Sequence, residues 1–426
     1  MILTNARVLT FDGDDRIIDS GSVEVTDNGS IGVVRGNRAS GPGTVDLGGR
    51  LLMPALINCH THLYSTLARG MPVRGRAPAD FPSILKRVWW RLDRALNEED
   101  VYYSALVGLI ESAKCGVATV IDHHSSPRAC AGSLDQIERA FTEVGLRGAT
   151  CFEVSDRNGK RAALEGIREN IRFLETRRAG SLVGGMFGLH ASFTLGDRTL
   201  GACVEANESL HAGFHVHVAE DRCDRLAVRR LADWGILDEK AIAAHCVHIT
   251  AGERATLARC GVNVVHNPQS NCNNAVGTAD LPALLRASAC VGLGSDGCSP
   301  RMWDEFKTAY HVQKVRARDP RAAAREVFAA AFRNNREMLR KIWGLATGAI
   351  VPGARADLLV LDYQPPTPIH SENLFGHLMF GIANAPVQSL VVDGHWVVRE
   401  GRCVHVDESR IAQRAASRAK ALWERL

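Results

Sequence analysis

Eight short, mostly apolar segments alternate with helix-like segments through the middle of the chain. Segments of this length and composition are typical of strands buried on both faces. Their bounds are 52–58, 117–122, 146–152, 183–190, 213–218, 241–245, 262–266 and 291–295. Eight strand–helix units predict an α/β fold, a (β/α)8 TIM-type barrel. A doubly wound open sheet is the alternative, but its first strand normally leads into a glycine-rich phosphate loop. Here that place holds Cys59-His60-Thr61-His62.

Two of the intervening helices have clear start and stop signals. One is predicted over 98–114, with Asn97 as its N-cap, acidic residues in its first turn, and an end at Gly116. The second is predicted over 134–144, with Ser133 as the cap and an end at Gly145.

The two ends of the chain differ from the middle, because both contain short alternating strands and turn signals. Residues 389–398 predict a hairpin around an Asp-Gly turn. Neither end is large enough to fold alone. We therefore predict a small composite β-sandwich domain from residues 1–50 and 350–426, closed by a final helix after Asp407, with the barrel over 51–349.

Composition excludes several classes of partner. The net charge is +4 for 426 residues and there is no long Lys/Arg run, so nucleic acid is not expected as a partner. The N-terminus has no signal-peptide core and no apolar run reaches the ~20 residues of a membrane helix. The 12 cysteines are scattered without a Cys-x-x-Cys pair, which favours free thiols. We expect a cytoplasmic protein without membrane contact.

Histidines concentrate at the predicted strand ends, where a parallel barrel places its chemistry. Nine of the 16 histidines lie there: His60, His62, His123, His124, His190, His215, His217, His245 and His266. Randomly placed core or surface histidines would not cluster in this way, so the pattern predicts a functional site.

A metal centre is the chemistry that this pattern favours. His60 and His62 lie on one face of strand one, since alternate strand residues share a face. His215 and His217 share a face of strand five in the same way, and one of them is expected to be structural. Two imidazoles from strand one, one from strand five and the Asp296 carboxylate suit Zn²⁺, with Fe²⁺ or Mn²⁺ as alternatives. Such an ion activates water near neutral pH.

Six motifs together resemble the amidohydrolase superfamily. They occupy residues 54–62, 217–220, 244–248, 266–271, 294–297 and 351–358, in the family's order. They are closest to its triazine-hydrolase and nucleoside-deaminase branch. Segments 81–85, 89–94, 102–106, 121–124 and 153–157 further resemble the SsnA-type aminohydrolases. One departure is Ala55, where the family usually has Gly.

The resemblance implies a role for each matching residue. The single metal would be held by His60, His62, His217 and Asp296. Glu220 would protonate a ring nitrogen, His245 would hydrogen-bond the attacking oxygen or the leaving group, and Asp296 would also take the proton from water. Residues 187–190 contain no Lys, which favours one metal over the bridged pair of other branches.

Substrate contacts are predicted for His190, Asn271 and Arg69. Asn271 lies in a matching motif, and the role of His190, at the end of strand four, is implied by the resemblance. Arg69 follows strand one and has two open interpretations: a clamp on a substrate carboxylate or a salt bridge to another loop. Cys272 and Cys298, in the loops after the last two strands, are interpreted as packed thiols.

These roles predict a metal-dependent hydrolase that displaces a group from an sp² ring carbon, first of all a deaminase of a small N-heterocycle. The same machinery would remove a halide, a thioether or a thioxo sulfur, so these leaving groups stay as alternatives. The alternative from another functional class is a non-catalytic barrel that only binds a ligand and a metal. A small-molecule substrate and a homodimer or homotetramer are expected.

Overall fold

The structure is a computed structural model that describes residues 1–73, 75–178, 180–287, 289–297 and 299–426. Its strands are β1 Ile2–Leu9, β2 Ile17–Val25, β3 Ile31–Arg35, β4 Thr44–Asp46, β5 Leu51–Pro54, β6 Leu56–Thr61, β7 Val117–Asp122, β8 Arg147–Thr150, β9 Val183–Gly185, β10 Phe187–Ala191, β11 Phe214–Val218, β12 Ile242–His245, β13 Asn263–His266, β14 Cys290–Leu293, β15 Leu358–Leu361, β16 Val387–Val392, β17 His395–Arg399 and β18 Arg402–Cys403.

Helices surround and connect these strands. They are α1 Phe81–Ile84, α2 Trp90–Ala95, α3 Glu98–Lys114, α4 Ser133–Val144, α5 Lys160–Glu175, α6 Asp197–Asn207, α7 Ala227–Asp233, α8 Ala251–Cys260, α9 Pro268–Asn273, α10 Leu281–Arg286, α11 Met302–Ala317, α12 Ala324–Phe328, α13 Asn335–Trp343, α14 Leu374–Phe380 and α15 Glu408–Glu424. Among the residues described, no helix is long and apolar enough to cross a membrane.

Parallel strands form the middle of the molecule, which confirms the predicted α/β fold. β6 to β9 make a four-stranded sheet and β10 to β14 a five-stranded one. The predicted fourth strand is divided at Met186, between β9 and β10. A parallel bridge between Val154 and Leu189 links the two sheets on one side. On the other side, Thr61 pairs with Asp296.

A nine-stranded sheet combines strands from both ends of the chain, in the order β18-β17-β16-β15-β5-β1-β2-β3 with β4 beside β1. The presence of β5 in this sheet shows that the predicted strand 52–58 was wrong in its bounds. The apolar run is divided at Ala55: β5 pairs with β1 and β15 in this sheet, and β6 alone joins the parallel sheet. An apolar run does not show this division, because both halves are equally buried.

Alternate residues of the parallel strands pack inside the two parallel sheets. They form one cluster with α13: Ile57, Cys59, Ile121, Ala149, Cys151, Met186, Ile242, Val265, Met338 and Leu339. These apolar residues precede the carboxyl ends of the strands, so the polar side chains at those ends pack against an apolar layer.

The helix signals are confirmed with one correction. Asn97 caps α3 in a reciprocal capping box with Asp100. Ser133 does not cap α4, because it is the first helical residue and Gly132 is the N-cap. The backbone N–H groups of Gly132 and Leu134, which have no partner within the helix, instead donate to the Glu169 carboxylate of α5. The cap therefore comes from a neighbouring helix, which local sequence does not reveal.

Candidate active site

Four predicted side chains converge at one end of the parallel strands. His60 lies in β6, His62 directly after it, His217 in β11 and Asp296 just beyond β14. Their ligand atoms all lie within 4.8 Å of one another. The Nε2 atoms of His62 and His217 are 3.1 Å apart. Asp296 Oδ1 lies 3.0 Å from His62 Nε2 and 3.5 Å from His60 Nε2.

Each of the three imidazoles is fixed through its other ring nitrogen. His62 Nδ1 donates to the His123 carbonyl at 2.6 Å, and His217 Nδ1 donates to the His190 carbonyl at 2.7 Å. His60 Nδ1 is hydrogen-bonded to His215 Nε2 at 2.8 Å. Bonds of this kind orient metal-binding imidazoles and set their tautomers.

The donor set fits a divalent transition metal. His60 Nε2 is buried and has no hydrogen-bond partner among the described residues, a costly state that a metal ion would relieve. Three imidazole nitrogens and one carboxylate oxygen are a donor set suited to Zn²⁺. His215, bonded to His60, supports this site from outside it.

Burial and neighbouring charges set the pKa values of these four groups. Burial lowers the pKa of His60 to about 3 and that of His217 well below its usual value, so both are neutral at neutral pH. Burial opposes ionisation of Asp296, but the imidazoles of His60 and His62 beside it hold its pKa well below the usual range. Burial would also lower the pKa of His62, but Asp296 raises it to about 9. Metal binding must therefore displace a proton from His62.

A second pair of predicted residues adjoins this cluster. Burial, and then the nearby Asp296 charge, raise the pKa of Glu220 well above its usual value, which favours the protonated carboxylic acid. His245 Nε2 lies 3.5 Å from Glu220 Oε2 and 3.7 Å from Asp296 Oδ2. A carboxylic acid beside a carboxylate can donate a proton while the carboxylate accepts one.

Backbone conformation at the strand ends aims two of these side chains. His245 has φ of 75° and Asp296 has φ of 57°, values that place non-glycine residues in the left-handed region at a cost of about 1–3 kcal/mol each. Just before Asp296, a Cβ on Gly294 would lie 2.8 Å from the backbone N and O of His60. Glycine there lets the chain after β14 approach β6 closely enough to bring Asp296 to the histidines.

A cavity opens to solvent beside this cluster. His190 and Glu220 line it, and aromatic rings form part of its wall: Tyr64, Phe81, Trp89, Trp90 and Phe193. Leu85–Trp89 forms a π-helical turn between α1 and α2, an irregularity frequent at functional sites. His190 Nδ1 bonds the Thr194 hydroxyl at 2.7 Å.

Four buried charged residues that line this cavity were not predicted from the sequence: Asp93, Glu153, Arg157 and Asp224. Arg157 Nη2 donates to Asp93 Oδ2 at 2.5 Å, and Arg157 Nη1 lies 2.6 Å from Glu153 Oε1. Burial raises the pKa of Asp93 to about 7, although Arg157 opposes this. Burial also disfavours ionised Glu153, but Arg157 and His190 hold its pKa well below the usual value. The sequence signals for Asp93, Glu153 and Arg157 were the segments 89–94 and 153–157, which were singled out for their resemblance and not for their charge.

Two of the predicted substrate contacts lie elsewhere. Arg69 Nη1 and Nη2 donate to the Glu111 carboxylate at 2.6 and 2.7 Å, and Arg69 does not line the cavity. Of its two interpretations, the salt bridge is the one present. Asn271 is also absent from the cavity lining. Its Nδ2 donates to His245 Nδ1 at 2.9 Å, so Asn271 orients His245.

The thiol predictions have mixed outcomes. The described cysteines are free. Cys272 is exposed and not packed, because it points outward from α9. Cys298 lies outside the described residues.

Comparisons with known proteins agree with this geometry. Residues 51–397 match the amidohydrolase family. The chain is 32% identical over its full length to a 5-methylthioadenosine/S-adenosylhomocysteine deaminase of Desulforudis audaxviator, covering 99% of that protein. It is 29% identical to a 5'-deoxyadenosine deaminase of Methanosarcina mazei, with the same coverage. Its fold resembles an adenosine deaminase from Xanthomonas campestris with bound zinc, with a TM-score of 0.86, 24% identity, and coverage of 99% of this chain and 98% of that one.

Proposed function

The chain belongs to the amidohydrolase family, and on this premise we propose that it deaminates the heterocyclic ring of an adenine-type nucleoside or a related small N-heterocycle. It is a metal-dependent hydrolase. The observation that carries the narrower proposal is the position of Glu220: a buried carboxyl group with a raised pKa, which lines the cavity beside a cluster of three imidazoles and a carboxylate. The relatives named above, which match the chain end to end, support the same substrate class.

The roles of the protein's residues follow from their positions. A divalent ion held by His60, His62, His217 and Asp296 would supply Lewis acidity for activating water. Asp296 Oδ2 accepts the proton that the attacking water loses. Glu220 donates its proton to the ring nitrogen next to the attacked carbon, which relieves the charge of the tetrahedral centre. Asp296 then returns its proton to the amino group while the ionised Glu220 takes the proton of the added hydroxyl. The C–N bond breaks, ammonia leaves, the ring carbon becomes a carbonyl, and both carboxyl groups return to their starting states.

His245 contributes by hydrogen bonding. With Nδ1 accepting from Asn271, the ring carries its proton on Nε2. That N–H points between Glu220 and Asp296. A donor fixed at this place stabilises negative charge that develops on the oxygen added to the ring.

Several narrower statements belong to the proposal. A single Zn²⁺ is favoured by the donor set, and Fe²⁺ or Mn²⁺ would also suit it. The backbone bridges at Val154 and Thr61 support closure of the two parallel sheets into one (β/α)8 barrel. The nine-stranded sheet supports a composite domain from the two chain ends. Free thiols favour a reducing, cytoplasmic location. We also propose a homodimer or homotetramer.

The direct test measures ammonia released by the metal-replete protein from adenosine, 5'-deoxyadenosine and S-adenosylhomocysteine in a coupled assay. We expect turnover with at least one of them, and loss of turnover after chelation. Release of halide or sulfide from chlorinated or thioxo rings, with no ammonia from the amino rings, would replace deamination by one of the alternative leaving groups. A protein that binds these compounds without turnover would contradict the deaminase proposal.

A further inference from the structure

We propose that Ser270 and Asn274 are positioning residues that give each oxygen of the two carboxyl groups at the site a separate task. Ser270 holds Asp296 so that Oδ1 faces the metal-binding imidazoles and Oδ2 accepts the proton of water. Asn274 holds Glu220 so that Oε2 carries the acid proton. The inference deepens the proposed function and rests on it for the roles of Asp296 and Glu220.

One turn of helix carries both positioning residues. Ser270 lies in α9, and Asn274 is the C-cap of that helix. Residues four positions apart lie on the same side of a helix, and the backbone N–H of Asn274 donates to the Ser270 carbonyl at 2.9 Å. Ser270 is 3% exposed, and both residues line the cavity. The turn therefore presents a hydroxyl and an amide to the reacting groups from one rigid element.

The Ser270 hydroxyl fixes the rotation of the Asp296 carboxylate. Oδ1 of Asp296 lies 3.0 Å from His62 Nε2 and 3.5 Å from His60 Nε2. The Ser270 hydroxyl donates to the other oxygen, Oδ2. A carboxylate can bind a cation through one oxygen or through both. The bond to Ser270 opposes the rotation that would bring Oδ2 to the same cation as Oδ1, and it leaves the second lone pair of Oδ2 to accept a proton.

The Asn274 amide determines which oxygen of Glu220 carries the proton. Asn274 Nδ2 donates to Glu220 Oε1 at 3.2 Å. In a protonated carboxyl group the carbonyl oxygen is the better acceptor, so this bond leaves the proton to Oε2, the oxygen that faces His245 at 3.5 Å. Asn274 Nδ2 also lies 3.4 Å from Ser270 Oγ, and an amide nitrogen has two hydrogens to share between these partners. The same side chain therefore contacts the supports of both carboxyl groups.

Substitutions of Ser270 test the first half of the proposal in the metal-replete protein, with the best substrate of the panel above. Ser270→Ala should lower kcat and kcat/KM equally, about 10–100-fold, because the hydroxyl supports a group used in the transition state. Ser270→Thr keeps the hydroxyl and should recover most of the loss. Ser417→Ala is the matched control, because the Ser417 hydroxyl bonds within α15 to the Gln413 carbonyl. Wild-type kcat in Ser270→Ala, or an equal loss in Ser270→Thr, would overturn the assignment of Ser270.

Combined variants show which carboxyl group each positioning residue serves. Asn274→Ala should lower kcat in the wild-type protein but cause little further loss in Glu220→Gln, where no acid proton remains to be placed. Ser270→Ala should still lower the residual rate of Glu220→Gln, because it acts on Asp296. The same loss from Asn274→Ala in both backgrounds would overturn the assignment of Asn274. If Ser270→Ala does not fold, Ser270→Thr and the two Asn274 comparisons still decide.

The visible absorption of protein loaded with Co²⁺ gives a readout that needs no turnover, because this spectrum depends on the number and geometry of the ligand atoms. Ser270→Ala should change the spectrum, since Oδ2 of Asp296 is no longer held away from the ion, whereas Asn274→Ala should leave it unchanged. If no compound releases ammonia but the spectra differ in this way, the deaminase proposal fails and the Ser270 assignment stands. If ammonia is released but Ser270→Ala keeps both the wild-type rate and the wild-type spectrum, the positioning inference fails alone.

Discussion

Replacement of Glu220 by Gln is the sharpest test of the proton donor. The Glu220 side chain is 11% exposed, so bulk water has little access to take over its role. Asn274 Nδ2 donates to Glu220 Oε1 at 3.2 Å, and the Gln carbonyl would keep this bond. The amide would also still donate a hydrogen bond to a ring nitrogen. It cannot release the proton, so the variant isolates proton transfer from shape and polarity.

The expected loss is that of one general acid. We expect kcat to fall about 10²–10⁴-fold, a rise of about 3–5 kcal/mol in the activation barrier. KM should change little, because the hydrogen bonds of the bound substrate remain. Glu220 is not among the four residues assigned to the metal, so the metal content per chain should stay the same.

The assay is steady-state ammonia release with the best substrate of the panel, together with elemental analysis of the purified variant. Glu205→Gln, an exposed position on α6, is the control and should keep wild-type kinetics. Wild-type kcat in Glu220→Gln would refute the assignment of the acid. Loss of metal from the variant would show instead that Glu220 supports the metal site.

The remaining predictions address the supporting residues. His215→Phe keeps a ring of similar size but removes the bond to His60, and metal affinity measured by competition with a chelator should fall about 10–100-fold; unchanged affinity would exclude this supporting role. Asn271→Ala removes the bond that orients His245, and kcat should fall with little change in metal content; a rise in KM alone would instead support the predicted substrate contact. Burial would raise the pKa of the Asp393 carboxyl, but hydrogen bonds from Arg355 and Arg147 lower it. The ionised carboxylate therefore stabilises the fold at a pH above its pKa in the unfolded chain. This stabilisation is lost as pH falls through the lower pKa of the folded protein. Asp393→Asn should therefore lower the melting temperature at pH 7, and the difference from wild type should shrink below about pH 4; a difference that is constant with pH would argue against an ionised Asp393.

The sequence by itself determined the order of the strands and the chemistry at their ends. Buried strands can be recognised from short apolar runs bounded by turn signals. The spacing of His60 and His62 places both on one face of β6 for the same local reason. Since parallel strands end at the same edge, His217 and Asp296 could be assigned to the same site without coordinates.

Only the tertiary structure decided which partner each polar side chain has. Arg69 was free by sequence to face the substrate, but it is paired with Glu111, 42 positions away. Asp93 of α2 and Arg157, in the segment after β8, are separated by 64 positions and meet only in the folded chain. The division of residues 51–61 between two sheets likewise depends on the C-terminal β15, which pairs with β5. Hydrogen bonds and ion pairs between distant segments depend on the distances that folding creates, and local composition carries no record of those distances.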